Sequence, residues 1–98
     1  MAIYYFMIEA VPCEDNAERL EYGGAFINCW VKAETEEAAL TKAWAYVAEE
    51  KWKLKSVEEK CAAHREAYLD EPEALECFDA AVRDGLSAIF YTWPTGEA

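Results

Sequence analysis

A chain of 98 residues is long enough to bury one real core and too short for two. Its hydrophobic share of 54% and aromatic share of 14% exclude intrinsic disorder, although the formal charge is -11, from 20 acidic and 9 basic residues. That balance repels polyanions, so nucleic acid and anionic membranes are set aside as partners, while a basic protein surface would be attracted; an acidic surplus also keeps a small oily protein soluble.

Residues 2–10 (AIYYFMIEA) alternate Ile3, Tyr5 and Met7 with Tyr4, Phe6 and Ile8, and neither row turns polar before Glu9. Two oily faces predict a central strand. The N-terminus has no basic region ahead of this run, and no later segment approaches the roughly 20 apolar residues of a membrane span, so a cytoplasmic protein is expected. Pro12 ends the strand. The acidic stretch CEDNAERLEYGG that follows predicts a loop or short helical turn closing on Gly23 and Gly24.

A second strand is expected over 25–32 (AFINCWVK). Ala25, Ile27, Cys29 and Val31 form a small aliphatic row suited to lie under helices, and Phe26 and Trp30 decorate the opposite face, where an exposed pair of large aromatics would ask for a partner. Thr35 is the expected N-cap of a helix from about 36 to 50, with Glu36 and Glu37 in its first turn and Leu40, Ala43, Trp44 and Val47 as its apolar stripe. WKLKSV (52–57) alternates Trp52 and Leu54 with lysines, the period of a half-exposed strand, and Lys53 and Lys55 suit an edge guarded against aggregation.

After a short irregular or helical piece, Pro72 opens a second helix behind Asp70 or Glu71. Leu75, Phe78 and Val82 are its expected stripe, Asp79 and Arg83 its ion pair, and Gly85 its stop. LSAIFYTW (86–93) is the last strand. The order is therefore β, β, α, β, α, β, without repeats or linkers. It implies a single α+β domain over 1–98: a two-layer sandwich of a four-stranded, largely antiparallel sheet with both main helices on one face, for which a ferredoxin-like plan is the nearest model. GGAFINCW from Gly23, the capped helix and FYTWP from Phe90 resemble a family of small bacterial proteins of about this length with no assigned function. That resemblance spans nearly the whole chain and implies no reaction, ligand or site residues.

No phosphate cradle, nucleophile elbow or zinc-protease motif is present. Cys13, Cys29, Cys61 and Cys77 lack a CxxC spacing and fit reduced thiols, with Cys29 a core residue. Cys61 and His64 stand at a C-x-x-H spacing that, alone, is more often chance placement than a metal or thiol site; no cofactor or metal is expected. Two functional expectations follow. The first is a non-enzymatic interaction module that self-associates, as a dimer, through Phe26, Trp30, Tyr91 and Trp93 and meets a basic protein partner, as an immunity or inhibitor protein would. The second is a ligand pocket or enzyme site built from Glu9, Tyr22, Cys61 and His64.

Overall fold

The two apolar rows of the first strand place it in the middle of the sheet, with a neighbour on either side. In the computed structural model, which describes residues 1–95, β1 (Ala2–Pro12) pairs with β2 (Tyr22–Ala33) and with β3 (Trp52–Ala63), and β2 pairs with β4 (Leu86–Pro94). The strand order is β3-β1-β2-β4 and every pairing is antiparallel. Two helices, α1 (Glu36–Glu49) and α2 (Pro72–Asp84), complete an α+β sandwich, and a 3-10 turn (Arg65–Tyr68) precedes α2.

The register assigns each row to a face. Phe6, Ile8 and Ala10 lie opposite Cys29, Ile27 and Ala25, and these join Ala39, Ala43 and Val47 of α1 in one core. Ile3, Trp30 and Ala63 belong to the other face, where they pack with Phe78 and Ala81 of α2. The helices therefore sit on opposite faces, not on one, and the ferredoxin-like plan does not hold. The physical reason is the doubled oily pattern of β1 and β2, which needs cover on both sides.

Several local expectations shift for identifiable reasons. β3 runs to Ala63, well beyond residue 57, because its polar second half, SVEEKCAA, lies along an exposed sheet edge and pairs with Ile3 to Glu9 of β1 across a register shift between Met7 and Ile8. Thr35 caps α1 as expected, its Oγ1 accepting from the Ala38 N–H at 3.1 Å. The buried stripe of α1, however, is Ala39, Ala43 and Val47, and Trp44 is 57% exposed. Small residues let this helix lie close to the sheet, which a tryptophan on the same line would prevent. On α2 the buried residues are Phe78 and Ala81, while Val82 is exposed. Asp79 is held by Arg65 at 2.9 Å and Arg83 by Asp84 at 3.0 Å, so the expected Asp79 to Arg83 pair gives way to one that ties α2 to the preceding 3-10 turn. Gly85, at φ 98°, stops the helix as expected.

Residues 13–21 form a series of turns, not a helix. Their anchor is Asn16, a buried polar side chain whose Nδ2 donates to the Lys51 carbonyl at 2.9 Å and whose Oδ1 accepts from the Glu18 N–H at 2.9 Å. Lys51 itself adopts the left-handed region, at φ 68°, to turn α1 into β3. Asn16→Ala removes both side-chain bonds and leaves the Lys51 carbonyl with fewer donors; it is expected to lower stability by about 2 kcal/mol in urea titration, with native secondary structure retained by circular dichroism.

Candidate functional site

α2 is short, 13 residues, and roofs only one end of its face of the sheet. Beside its first turn lies a cleft of about 460 Å³, floored by Tyr5, Asn28, Trp30 and Ile89 and walled by Cys61, Tyr68, Tyr91 and Glu71 to Ala74. The rings are mutually braced: Tyr5 and Trp30 have centroids 5.2 Å apart, and Tyr68 meets Trp30 edge-on at 6.1 Å. The Tyr91 hydroxyl donates to Glu73 Oε1 at 2.9 Å, which pins β4 to the start of α2.

Two polar atoms of the floor have no partner. Among the described residues, Asn28 Oδ1 and Trp30 Nε1 are the buried side-chain polar atoms without a hydrogen bond. The Trp30 N–H lies near enough to the Tyr68 oxygen to favour its phenolate slightly, but short of hydrogen-bond geometry. Unmet polar groups of this kind cost stability unless something fills them, and they mark places where a ligand group recovers that cost. Carboxylates lie beside two of the neighbouring tyrosines. Burial, followed by the Glu59 charge, pushes the Tyr5 hydroxyl up to about 12; burial raises Tyr68; and the bond to the Glu73 carboxylate, with a smaller burial effect, raises Tyr91.

The residues singled out from sequence are distributed unevenly. Trp30 is 2% exposed, shielded by the chain's own α2 and Tyr68, so its expected place on the open face is corrected. Phe26 and Tyr91, 36% and 47% exposed, remain at the uncovered end. Trp93 packs on Phe26 at 5.2 Å and lies over Gly24, where a Cβ would stand 2.8 Å from its Cε2 and 3.0 Å from the Ala10 carbonyl oxygen. The other proposed set does not converge. Cys61 lines the cleft, but His64 is exposed at the start of the 3-10 turn, and Glu9 is paired with Lys55 at 3.1 Å. Tyr22 lies on the opposite face, lining a second cleft of about 400 Å³ with Trp52 and Phe90. No group of three His, Cys, Asp or Glu side chains among the described residues could hold a metal ion.

Asn28 is a cleft residue that the sequence alone did not single out, although it is the lone polar side chain in AFINCWV and so carried a signal. Tyr5 and Tyr68 had none, because a tyrosine in an oily strand reads as core. No family model, curated protein or solved structure matches the chain. No described helix is long and apolar enough to cross a membrane.

Two measurements check this environment. Cys61 is exposed, whereas burial pushes the Cys29 thiol up to about 12, so a thiol reagent at neutral pH should modify Cys61 in the native state and Cys29 only on unfolding; mass mapping of labelled peptides reads the order. Tyr5 keeps its proton in the folded state beyond the ordinary value of 10, so the stability it contributes is complete below pH 10 and is lost as pH rises through about 12. Tyr5→Phe should therefore flatten the fall of urea stability across that window and leave it unchanged near neutrality apart from a constant offset.

Proposed function

We propose that the protein is a non-enzymatic docking module that receives a basic protein partner on the half-covered face of its sheet. The observation that carries this reading is the open end of that face, where Phe26 and Tyr91 stay partly exposed beside a cleft edged by Glu71 and Glu73. Aromatic rings flanked by charge are the composition of an interface core with its rim. The acidic surplus supports a cationic occupant. Five of the nine basic side chains, Lys51, Lys55, Lys60, Arg65 and Arg83, are engaged with five carboxylates, so four basic residues are left against the other 15 acidic ones.

Self-association draws less support. Each copy would bring a formal charge of -11 to the seam, a repulsion that the partly exposed Phe26 and Tyr91 rings do little to offset. A basic partner turns that same charge into attraction and a faster encounter.

A synthetic peptide rich in lysine and interspersed with leucine is the defined probe. It is expected to bind in low salt, to weaken steeply as salt rises, and to lose about tenfold in affinity to the Phe26→Ser, Tyr91→Ser double variant, which leaves the net charge unchanged. Equal binding by that variant would reduce the interaction to bulk charge and overturn the docking reading. A concentration-dependent dimer in sedimentation, dispersed by Phe26→Ser, would replace the basic partner with a second copy of the chain.

A further inference from the structure

The sheet ends in two edges that are built differently. β3, at one edge, carries Lys53, Lys55, Glu58, Glu59 and Lys60 and is broken by two register shifts against β1, the devices that keep a free edge from pairing. β4, at the other, has no charged residue from Leu86 to Trp93 and pairs with β2 over that stretch without a shift. The ladder fixes which of its backbone groups face outward. The Lys32 N–H donates to the Gly85 carbonyl at 2.9 Å, and bonded positions alternate along an antiparallel pair, so Ser87, Ile89 and Tyr91 bond to β2. The N–H and C=O groups of Leu86, Ala88, Phe90 and Thr92 therefore point away from the sheet, and no backbone bond from another described element reaches them.

We infer that the free edge of β4 takes an added strand from the docked partner, an extended segment in which apolar and basic residues alternate. The inference rests on the docking reading above and names the element of the partner that the surface receives. β4 borders both clefts: Ile89 and Tyr91 line the one beside α2, and Phe90 and Thr92 line the one on the α1 face with Glu18 and Glu50. A strand laid along β4 sends successive side chains to opposite faces, each about 5 Å from its cross-strand neighbour. Residues opposite Ile89 and Tyr91 meet apolar surface, including the exposed Tyr91 ring, whose neighbour Glu73 is already held by the Tyr91 hydroxyl. Residues opposite Phe90 and Thr92 stand on the side of Glu18 and Glu50. The partner segment is thus apolar on the α2 face and basic on the α1 face. Main-chain pairing supplies affinity, and the alternate side chains supply the choice of partner. β4 of a second copy, itself without a basic residue, brings nothing to meet Glu18 and Glu50.

The test reads amide hydrogen exchange by NMR, residue by residue, on the folded protein with the lysine-leucine peptide in strict alternation. In the free protein the Ala88, Phe90 and Thr92 amides are expected to exchange faster than those of Ile89 and Tyr91, which bond to β2. Peptide at about ten times its dissociation constant should slow the Ala88 and Phe90 amides about tenfold. The same peptide with its central backbone nitrogens methylated keeps every side chain and charge, and should lose about tenfold in affinity, the worth of one or two hydrogen bonds. A peptide of the same composition with lysines and leucines in blocks should protect less. Thr92→Pro removes an outward donor and leaves the bonds to β2 in place, so it should weaken the unmodified peptide as methylation does. The methylated peptide keeps the test meaningful if that variant folds poorly.

Peptide binding without slowing of the outward amides, or undiminished by backbone methylation, would overturn the added strand and leave the docking reading standing. No peptide binding even at low salt would overturn the docking reading itself. Equal protection by the blocked peptide would overturn the alternation asked of the partner. Protection that arises without peptide and rises with protein concentration would assign the edge to a second copy and overturn the partner as its source.

Discussion

The constraint on which the rest of the structure depends is that β1 and β2 are oily on both faces. A sheet of this kind cannot be finished by helices on one side, because each uncovered row would leave apolar surface in water at roughly 25 cal/mol per Å². The chain resolves this by sending its two helices to opposite faces. α1 covers the middle of one, laying Ala39, Ala43 and Val47 over the aliphatic row of β2. α2 closes the other only at the end that carries Ile3, Trp30 and Ala63. Each face keeps a cleft beside its helix, the larger one beside the first turn of α2.

Trp30 is the pivot of the second face. Its ring is stacked beside Tyr5, met edge-on by Tyr68 and backed by the α2 core, so sheet, 3-10 turn and helix converge on one side chain. The bidentate Arg65 to Asp79 pair joins the turn to the helix, but both side chains are about half exposed and the pair contributes modestly. Packing on Trp30 therefore does more than the ion pair to seat α2. The same burial strands the Trp30 N–H and the Asn28 oxygen, both of which lie at the border where helix cover ends and the cleft begins.

What could be read in the residues divides along the same border. The α+β class, the antiparallel four-stranded sheet, the Thr35 cap and the Gly85 stop follow from local periodicity and capping chemistry, which depend on neighbours in sequence. The doubled oily rows were also legible as a demand for cover on a second face, which the sequence pattern assigned to another molecule with both helices on the first. What no local pattern expressed was that the cover would come from α2 and not from another molecule, because the face a helix takes is decided by the register and crossover of strands far apart in the chain. Trp30 and Phe26, two positions of the same strand row, look alike in sequence and end as 2% and 36% exposed because α2 and Tyr68 pack on the first and leave the second uncovered. Trp44 shows the converse: its spacing fits the apolar stripe of α1, but close approach of the helix to the sheet selects the alanines and turns the larger ring outward. Asn16 and Asn28 were visible as letters, yet the carbonyl that holds one and the want of a partner that distinguishes the other are properties of the assembled chain.

The incomplete roof and the acidic charge act on the same equilibrium. Mutual repulsion among surplus carboxylates raises the free energy of the compact state, and the effect grows as salt is lowered. Two unmet buried polar atoms add to it. A cationic surface docked over the open end, as proposed above, would relieve the repulsion and cover the exposed rings, so two of these costs would fall in one event. Binding to the folded state alone raises apparent stability by mass action, which couples occupancy of the face to persistence of the fold. A longer α2 would cover the exposed rings and the cleft together and yield a sturdier domain; stability and the proposed docking therefore compete at the edge of its cover, between Trp30 and Phe26.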